Sequence, residues 1–265
     1  MRDTLPLSPT HAALAEGDPR PALKRIAEAG FRFVQLSAAL PTMRPRELDR
    51  SARRDLLARL RRLELTLSGL DLWIPEEHFG DPAHGDRAMN ATLEAIELAA
   101  DLDRVPLSMT LPRGMDAGLR STLADRADMC GVEIADFNRS VAGPDAGDTD
   151  DGDEEETPSS APRVPAIGTG VDPATVLLGG GDPAKEVSRA AQLVSARFSD
   201  AARDGRRRPG AGRLDLTKYQ VALLTRGDYD RPVVLDMRHI AEPWAQLDEA
   251  ARAWWATGLL QPRGL

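Results

Sequence analysis

The regular alternation of short apolar runs with longer amphipathic stretches is the feature that most constrains how this chain folds. The runs have the length and composition of buried β-strands, and the stretches carry apolar residues at helical spacing. Strands are predicted at residues 31–37, 63–70, 104–111, 132–137, 164–171, 193–198 and 232–237, with a weak first strand at 5–8. Helices are predicted at residues 21–29, 46–62, 87–101, 116–129, 183–192, 216–226 and 244–257, with a further short helix at 173–178.

This alternation predicts the way in which the strands pair. Strands that alternate with helices pair in parallel through right-handed crossover connections. Seven or eight such units in 265 residues predict an α/β fold, a (β/α)8 TIM barrel with an irregular first strand, and we expect residues 1–265 to form one barrel domain. An open doubly wound sheet is the alternative, but the first strand-to-helix turn lacks the G-x-G-x-x-G pattern.

Residues 143–162 form an acidic, low-complexity insertion after the predicted strand at 132–137. Because like charges repel and the segment has few apolar residues to bury, we expect it to be disordered. Residues 143–158 hold eight of the 42 acidic residues and no basic one, so the rest of the chain has as many acids as its 34 basic residues. This neutral body has no excess of positive charge for a phosphate backbone, so we expect no nucleic-acid partner.

Cysteine content and hydropathy indicate the compartment. Cys130 is the one cysteine of the sequence, which excludes an internal disulfide and fits a reducing cytoplasm. No run of about 18 uncharged apolar residues occurs, so no membrane span is predicted. The first ten residues lack a basic region followed by an apolar run, which is the pattern of a signal peptide. We therefore expect a cytoplasmic protein.

Candidate site residues follow from the barrel prediction, because catalytic groups in such barrels lie at the carboxyl ends of the strands. The polar residues predicted there include Asp71, Trp73, Glu76, His78, Asp136, Asn138, Asp172, Arg197, Ser199, Asp200, Asp236 and Arg238. Asp136, Asp172 and Asp236 come from three different strands, and three converging carboxylates suit Mg²⁺ or Mn²⁺. The alternative is that each carboxylate pairs with an arginine such as Arg197 or Arg238 in a buried network without metal, since a fixed positive charge repels a divalent cation.

His78 is the remaining candidate from the residue pattern alone. It lies in a loop before a helix and lacks the partner four residues away that a helical zinc motif requires. We interpret it either as a solvated loop residue or as a contact to substrate.

Several segments together resemble the xylose-isomerase-like barrel superfamily, which includes sugar-phosphate isomerases and epimerases and apurinic endonucleases. The segments are residues 27–39 (AEAGFRFVQLSAA), 87–105 (RAMNATLEAIELAADLDRV), 167–183 (IGTGVDPATVLLGGGDP), 194–200 (VSARFSD) and 231–238 (RPVVLDMR). The resemblance covers about three quarters of the chain. It implies one or more divalent metals and proton transfer on a sugar, through a glutamate pair or a metal-bound water.

The family's metal ligands are only partly matched in this sequence. Asp172 matches the aspartate of an Asp-x-x-His motif, but Thr175 takes the place of its histidine. Arg197 takes the histidine place of a His-x-x-Asp motif, whose aspartate is matched by Asp200. The two strand-end glutamates are represented by aspartates, the fifth-strand one near Asp136 and the last-strand one at Asp236.

Two functions follow as hypotheses. In the first, a sugar or sugar-phosphate isomerase or epimerase acts on a small carbohydrate or polyol by proton transfer. Asp136 and Asp236 are then the acid and base, or hold Mn²⁺, Mg²⁺ or Zn²⁺ together with Asp172. The substrate would be bound by Arg197, His78, Asp200 and Arg238. In the second, the barrel is catalytically silent and binds a small molecule or a partner protein without metal. A nucleic-acid repair enzyme is disfavoured, because the body is neutral and the histidines are absent.

Overall fold

The structure is a computed structural model that describes residues 5–15, 18–138 and 166–257 of the chain. The acidic insertion predicted at 143–162 lies outside these residues. The barrel strands are β1 (Leu7–Pro9), β2 (Phe33–Ser37), β3 (Thr66–Asp71), β4 (Leu107–Met109), β5 (Ile134–Asp136), β6 (Ile167–Val171), β7 (Leu193–Phe198) and β10 (Val233–Leu235), and a separate hairpin contains β8 (Asp200–Ala202) and β9 (Gly205–Arg207). The α-helices are α1 (Pro19–Glu28), α2 (Arg50–Arg62), α3 (Gly85–Asp101), α4 (Ala117–Cys130), α5 (Pro173–Leu178), α6 (Pro183–Arg189), α7 (Leu216–Thr225) and α8 (Pro243–Trp255).

The predicted (β/α)8 barrel is confirmed. Within the described residues, eight parallel strands are hydrogen-bonded in the order β1-β10-β7-β6-β5-β4-β3-β2. A parallel bridge between Thr10 and Gln35 joins the two ends of this order and closes the sheet on itself. Every predicted strand is present, although most are shorter than predicted, and the weak first strand is β1. No helix in the described part of the chain is long and apolar enough to cross a membrane.

Three helix ends are stabilised by residues next to them in the sequence. The carboxylate of Asp116 accepts a hydrogen bond from the Leu119 amide at 3.1 Å and caps the start of α4. Gly131 ends the same helix in the left-handed conformation with φ 64°, which a residue without Cβ adopts at little cost. Asp182 caps α6 by accepting from the Ala184 amide at 3.1 Å. These caps set the lengths of the outer helices.

One face of the strands forms the core beneath the helices. Leu70, Leu107 and Ile134 stand side by side on β3, β4 and β5, and all three are fully buried. Their apolar side chains pack against the outer helical layer, as in other barrels of this class. This face supplies much of the apolar burial that stabilises the fold.

The opposite face lines the barrel interior with small polar groups. The Gln35 side chain donates from Nε2 to the Ser108 hydroxyl at 3.2 Å, and that hydroxyl bonds the Ser195 hydroxyl at 3.5 Å. These residues belong to β2, β4 and β7, so their side chains meet across the interior. Because strand side chains alternate between faces, Arg197, two residues beyond Ser195, also points inward, at the carboxyl end.

The hairpin of β8 and β9 was not predicted. It follows β7 directly and pairs antiparallel, with Asp200 opposite Arg207. Its sequence lacks the apolar alternation that marks a strand, and Gly205 at φ 139° allows the tight reversal. The hairpin places residues over the carboxyl end of the barrel that no strand-end argument selects.

Candidate functional site

Arg197 lies at the centre of the carboxyl end of the barrel and is almost fully buried. Its Nη2 donates to Oδ1 of Asp71 at 2.9 Å. Its Nη1 lies 3.7 Å from Oδ2 of Asp172 and 3.8 Å from Oδ2 of Asp236. The guanidinium carbon sits 3.8 Å from the centre of the Phe137 ring, a cation–π contact. Three carboxylates from three strands therefore surround one fixed positive charge.

Two further arginines bind the same carboxylates. Arg238 donates to Asp236 from Nε at 2.9 Å and from Nη2 at 2.7 Å, a bidentate pair, and its Nη1 reaches Oδ2 of Asp71 at 3.0 Å. Arg206, carried by the hairpin, donates to Asp172 and lies 3.9 Å from Asp236. We call these six residues the mouth cluster: Asp71, Asp172, Arg197, Arg206, Asp236 and Arg238. Its formal charges cancel.

Asp172 is held by hydroxyl groups as well as by arginines. The Ser199 hydroxyl donates to its Oδ1, and the Thr175 hydroxyl donates to its Oδ2 at 2.9 Å. Thr175 occupies the place where the resemblance implies a histidine ligand. Its hydroxyl is a neutral donor to the carboxylate, so it strengthens the network without offering the strong nitrogen ligand that a metal would use.

The electrostatics of the cluster favour ionised carboxylates. Burial opposes the ionisation of Asp236, but the attraction of Arg238, Arg197 and Arg206 outweighs it and holds the pKa of Asp236 well below its usual range. Burial opposes the ionisation of Asp172 in the same way, and Arg206 and Arg197 lower the pKa of that carboxyl. Both groups are therefore strong acceptors and weak bases.

Asp136 does not join these carboxylates. The register pairs Ala135 with Ser108, whose hydroxyl faces the interior, so the alternation of side chains turns Asp136 toward the helical layer. There it accepts from the Leu111 amide at 3.1 Å and from Nη2 of Arg120 at 3.3 Å. The structure thus separates Asp136 from the predicted set of three converging aspartates.

Phe137, directly after β5, takes the inward place that the prediction gave to a carboxylate. It forms a small interior cluster with Ala135 and Val194, and its ring supports the Arg197 guanidinium. The Asn138 amide, next in the chain, donates to Oδ1 of Asp136 at 3.0 Å. An apolar ring, rather than an oxygen ligand, therefore lies beside Arg197 at this point of the barrel.

Asp200 and His78 lie apart from the contacts of the mouth cluster. The Asp200 carboxylate accepts from the amides of Ala201, Gly212 and Leu214 at 2.8, 2.8 and 2.9 Å, which secures the chain after the hairpin. His78 lies in the loop after β3, where its ring stacks on His84 with centroids 4.7 Å apart. The structure brings Asp172, Arg197, Asp236 and Arg238 together.

The residues present do not fit a divalent metal. In the described ranges, no group of three or more His, Cys, Asp or Glu side chains is arranged so that it could hold an ion. The carboxylates of Asp71, Asp172 and Asp236 already face guanidinium groups, and Arg197 places its permanent charge among them. This arrangement of carboxylates and guanidinium groups matches the metal-free alternative, a buried salt-bridge network.

Two members of the mouth cluster are absent from the predicted metal ligands and substrate-binding residues. Asp71 stands at the end of a predicted strand, but the resemblance assigns it no role. Arg206 carries no signal, because it belongs to the unpredicted hairpin. A search for every charged residue at a strand end selects Asp71, whereas Arg206 needs the tertiary structure.

Comparison with known proteins gives structural relatives only. No protein-family model matches the chain, and no curated protein matches it. A xylose isomerase domain protein from Planctomyces limnophilus superposes with a TM-score of 0.68 at 14% identity, covering 96% of each chain. A D-psicose 3-epimerase from Clostridium cellulolyticum H10, solved with D-tagatose, superposes with a TM-score of 0.66 at 15% identity, covering 94% of this chain and 99% of the epimerase.

A third structure with the same architecture was solved with a metal. It is a xylose isomerase-like TIM barrel protein from Mycobacterium smegmatis in complex with magnesium, with a TM-score of 0.63 at 13% identity, covering 96% of this chain and 98% of that protein. Likeness at such low identity concerns backbone architecture and leaves the site chemistry to be argued from residues. The chain has the fold of the xylose isomerase-like TIM barrels.

Proposed function

We propose that this barrel binds a neutral carbohydrate or polyol at the carboxyl ends of its strands, without a divalent metal. The observation that carries the proposal is the position of Arg197 among Asp71, Asp172 and Asp236, where a metal-dependent site would need free carboxylate ligands. The positive charge at the centre of the site then comes from a guanidinium.

The chemistry of the mouth cluster suits hydroxyl groups. Each sugar hydroxyl both donates and accepts a hydrogen bond, and the cluster offers carboxylate acceptors beside guanidinium donors. Because the cluster is neutral overall, it favours a neutral ligand over a strongly charged one. The side chains of Arg206 and Arg238 retain 23% and 18% exposure, so a ligand reaches the cluster through these two arginines.

An isomerase or epimerase that uses Asp136 and Asp236 is the less favoured hypothesis. Abstraction of a proton next to a carbonyl needs a base whose pKa is raised toward neutrality. The pKa of Asp236 is lowered instead, since the attraction of Arg238 and its neighbours outweighs the effect of burial. Asp136 faces the helical layer. These observations support a binding role over proton transfer by this pair.

Calorimetric titration tests the proposal directly. We expect no binding of Mn²⁺, Mg²⁺ or Zn²⁺, and saturable binding of at least one neutral sugar or polyol from a panel that includes D-fructose, D-tagatose, D-glucose and sorbitol. Arg238→Ala should weaken that binding by at least tenfold, because it removes a donor at the solvent-facing edge of the site. Arg113→Ala, at an exposed arginine after β4, is the matched control.

Two results would contradict the proposal. Micromolar binding of Mn²⁺ or Zn²⁺ with a stoichiometry near one would instead support a metal-dependent site. Absence of binding for the whole panel would remove the carbohydrate assignment.

A further inference from the structure

Trp73 is the exposed aromatic residue at the carboxyl end of the barrel. Among the described residues, four large apolar residues are well exposed, and Trp73, at 66%, is the aromatic one of the four. The other three lie on helices: Met129, Leu178 and Val221. A large exposed indole leaves much apolar surface in water, and at the carboxyl end of a barrel strand it stands where ligands bind.

Trp73 follows β3 two residues after Asp71, a member of the mouth cluster. The Leu72 amide donates to the Ser108 carbonyl at 2.9 Å, so the parallel ladder continues one residue beyond β3. Leu72 is buried, whereas Asp71 points inward to Arg197. Because side chains alternate along an extended chain, we infer that Trp73, two residues after Asp71, lies on the same inward side.

The loop that carries Trp73 is anchored. Nδ2 of Asn138 donates to Oε2 of Glu76 at 2.8 Å and to the Leu111 carbonyl at 2.5 Å, which ties the loop to the ends of β4 and β5. Phe79, further along the same loop, is buried in the core. A platform held in place loses little conformational entropy when a ligand binds.

We propose that Trp73 is the stacking platform of the site and that it selects cyclic carbohydrates over open-chain polyols. One face of a sugar ring presents C–H groups with a slight positive charge, and the face of an indole ring is negative. The ring would rest on Trp73 while its hydroxyls reach Arg238 and Asp71, which are bonded to each other at 3.0 Å. This inference rests on the proposed binding function and specifies its ligand class.

Sugar titration of tryptophan variants provides the test. The protein and three variants, Trp73→Ala, Trp73→Phe and Trp255→Phe, are titrated with D-glucose, D-fructose and sorbitol by calorimetry. Tryptophan emission is followed in the same samples.

We expect the ring sugars to shift the emission of the native protein. Trp73→Ala should lower ring-sugar affinity roughly tenfold and Trp73→Phe about threefold or less, because phenylalanine retains an aromatic face. Trp255→Phe, at a half-buried indole on α8, should bind as the native protein does.

The outcomes separate this inference from the proposed function. If the native protein binds a ring sugar and Trp73→Ala binds it equally well, the platform is wrong and the proposed function stands. If sorbitol binds as tightly as the ring sugars, the preference for cyclic ligands is wrong. If the native protein binds none of the three, the inference is overturned, and absence of binding for the whole panel, D-tagatose included, overturns its premise as well. Unchanged thermal unfolding of Trp73→Ala excludes misfolding as the cause of lost binding, since the side chain is exposed.

Discussion

Arg197 on β7 donates a 2.9 Å hydrogen bond to Asp71 on β3, across the barrel and over 126 residues of sequence. Both side chains are almost fully buried. A buried ion pair gains little over an apolar pair of the same shape, but the loss of one partner leaves an uncompensated charge inside the protein. This relationship therefore governs both the stability of the barrel and the chemistry of its carboxyl end.

Removal of the central guanidinium is expected to destabilise the protein strongly. Arg197→Met leaves Asp71, Asp172 and Asp236 close together with fewer cations, and we expect it to lower the free energy of unfolding by about 3–5 kcal/mol. Urea unfolding measures the change. Arg113→Met, at an exposed position, should change stability by less than about 0.5 kcal/mol. Equal effects of the two substitutions would show that Arg197 is not the centre of the network.

Asp136 is expected to matter for stability rather than for binding. Its carboxylate accepts hydrogen bonds from the amides of Leu111 and Asn138 and pairs with Arg120. Asp136→Ala leaves these donors, of which the Leu111 amide is buried, without their acceptor and should lower the free energy of unfolding by about 2–4 kcal/mol. Sugar affinity, measured below the melting temperature, should change less than twofold. A stable variant that no longer binds sugar would instead place Asp136 in the ligand site.

Acid should weaken the native state through Asp236. Its pKa in the folded protein is lowered, so below the ordinary aspartate pKa of about 4 the unfolded state binds a proton that the folded state does not. The stability that this group contributes is therefore complete above that pH and is lost as the pH falls toward the folded pKa. Asp236→Asn removes this titration and should flatten the pH dependence of unfolding below pH 4. If the stability of Asp236→Asn fell as steeply below pH 4 as that of the native protein, Asp236 would not be the group responsible.

His11 should produce a separate pH dependence at higher pH. Burial lowers its pKa to about 4 and outweighs the opposing effects of the Pro19 backbone and Asp18. Between this value and about 6.5, its ordinary pKa, the unfolded state binds a proton that the folded state excludes. The free energy of unfolding should then fall as the pH drops through this window, by at most about 3 kcal/mol.

Replacement of the imidazole tests this dependence. His11→Phe has no titrating group at this position, so its free energy of unfolding should vary less between pH 6.5 and pH 5 than that of the native protein. Chemical unfolding at a series of pH values measures the two slopes. Identical slopes would mean that another group is responsible.

The sequence by itself determined the architecture of this protein. The alternation of apolar runs with amphipathic stretches is local information, and parallel pairing with right-handed crossovers leaves few ways to arrange it. The caps at Asp116 and Asp182 and the left-handed turn at Gly131 likewise depend on neighbouring residues alone. Arg197 and Thr175, at the two places where the resemblance implies histidines, are likewise evident from the sequence.

Only the tertiary structure decided which of the candidate side chains meet. Side chains alternate along a strand, so a register change of one residue moves a carboxylate from the barrel interior to the helical layer, as at Asp136. The approach of Arg206 to Asp172 depends on a hairpin that has no apolar signature. The bond between Arg197 and Asp71 joins residues far apart in sequence. Register and long-range pairing arise from the packing of the whole barrel. That packing places arginines against the carboxylates that the sequence suggested as metal ligands.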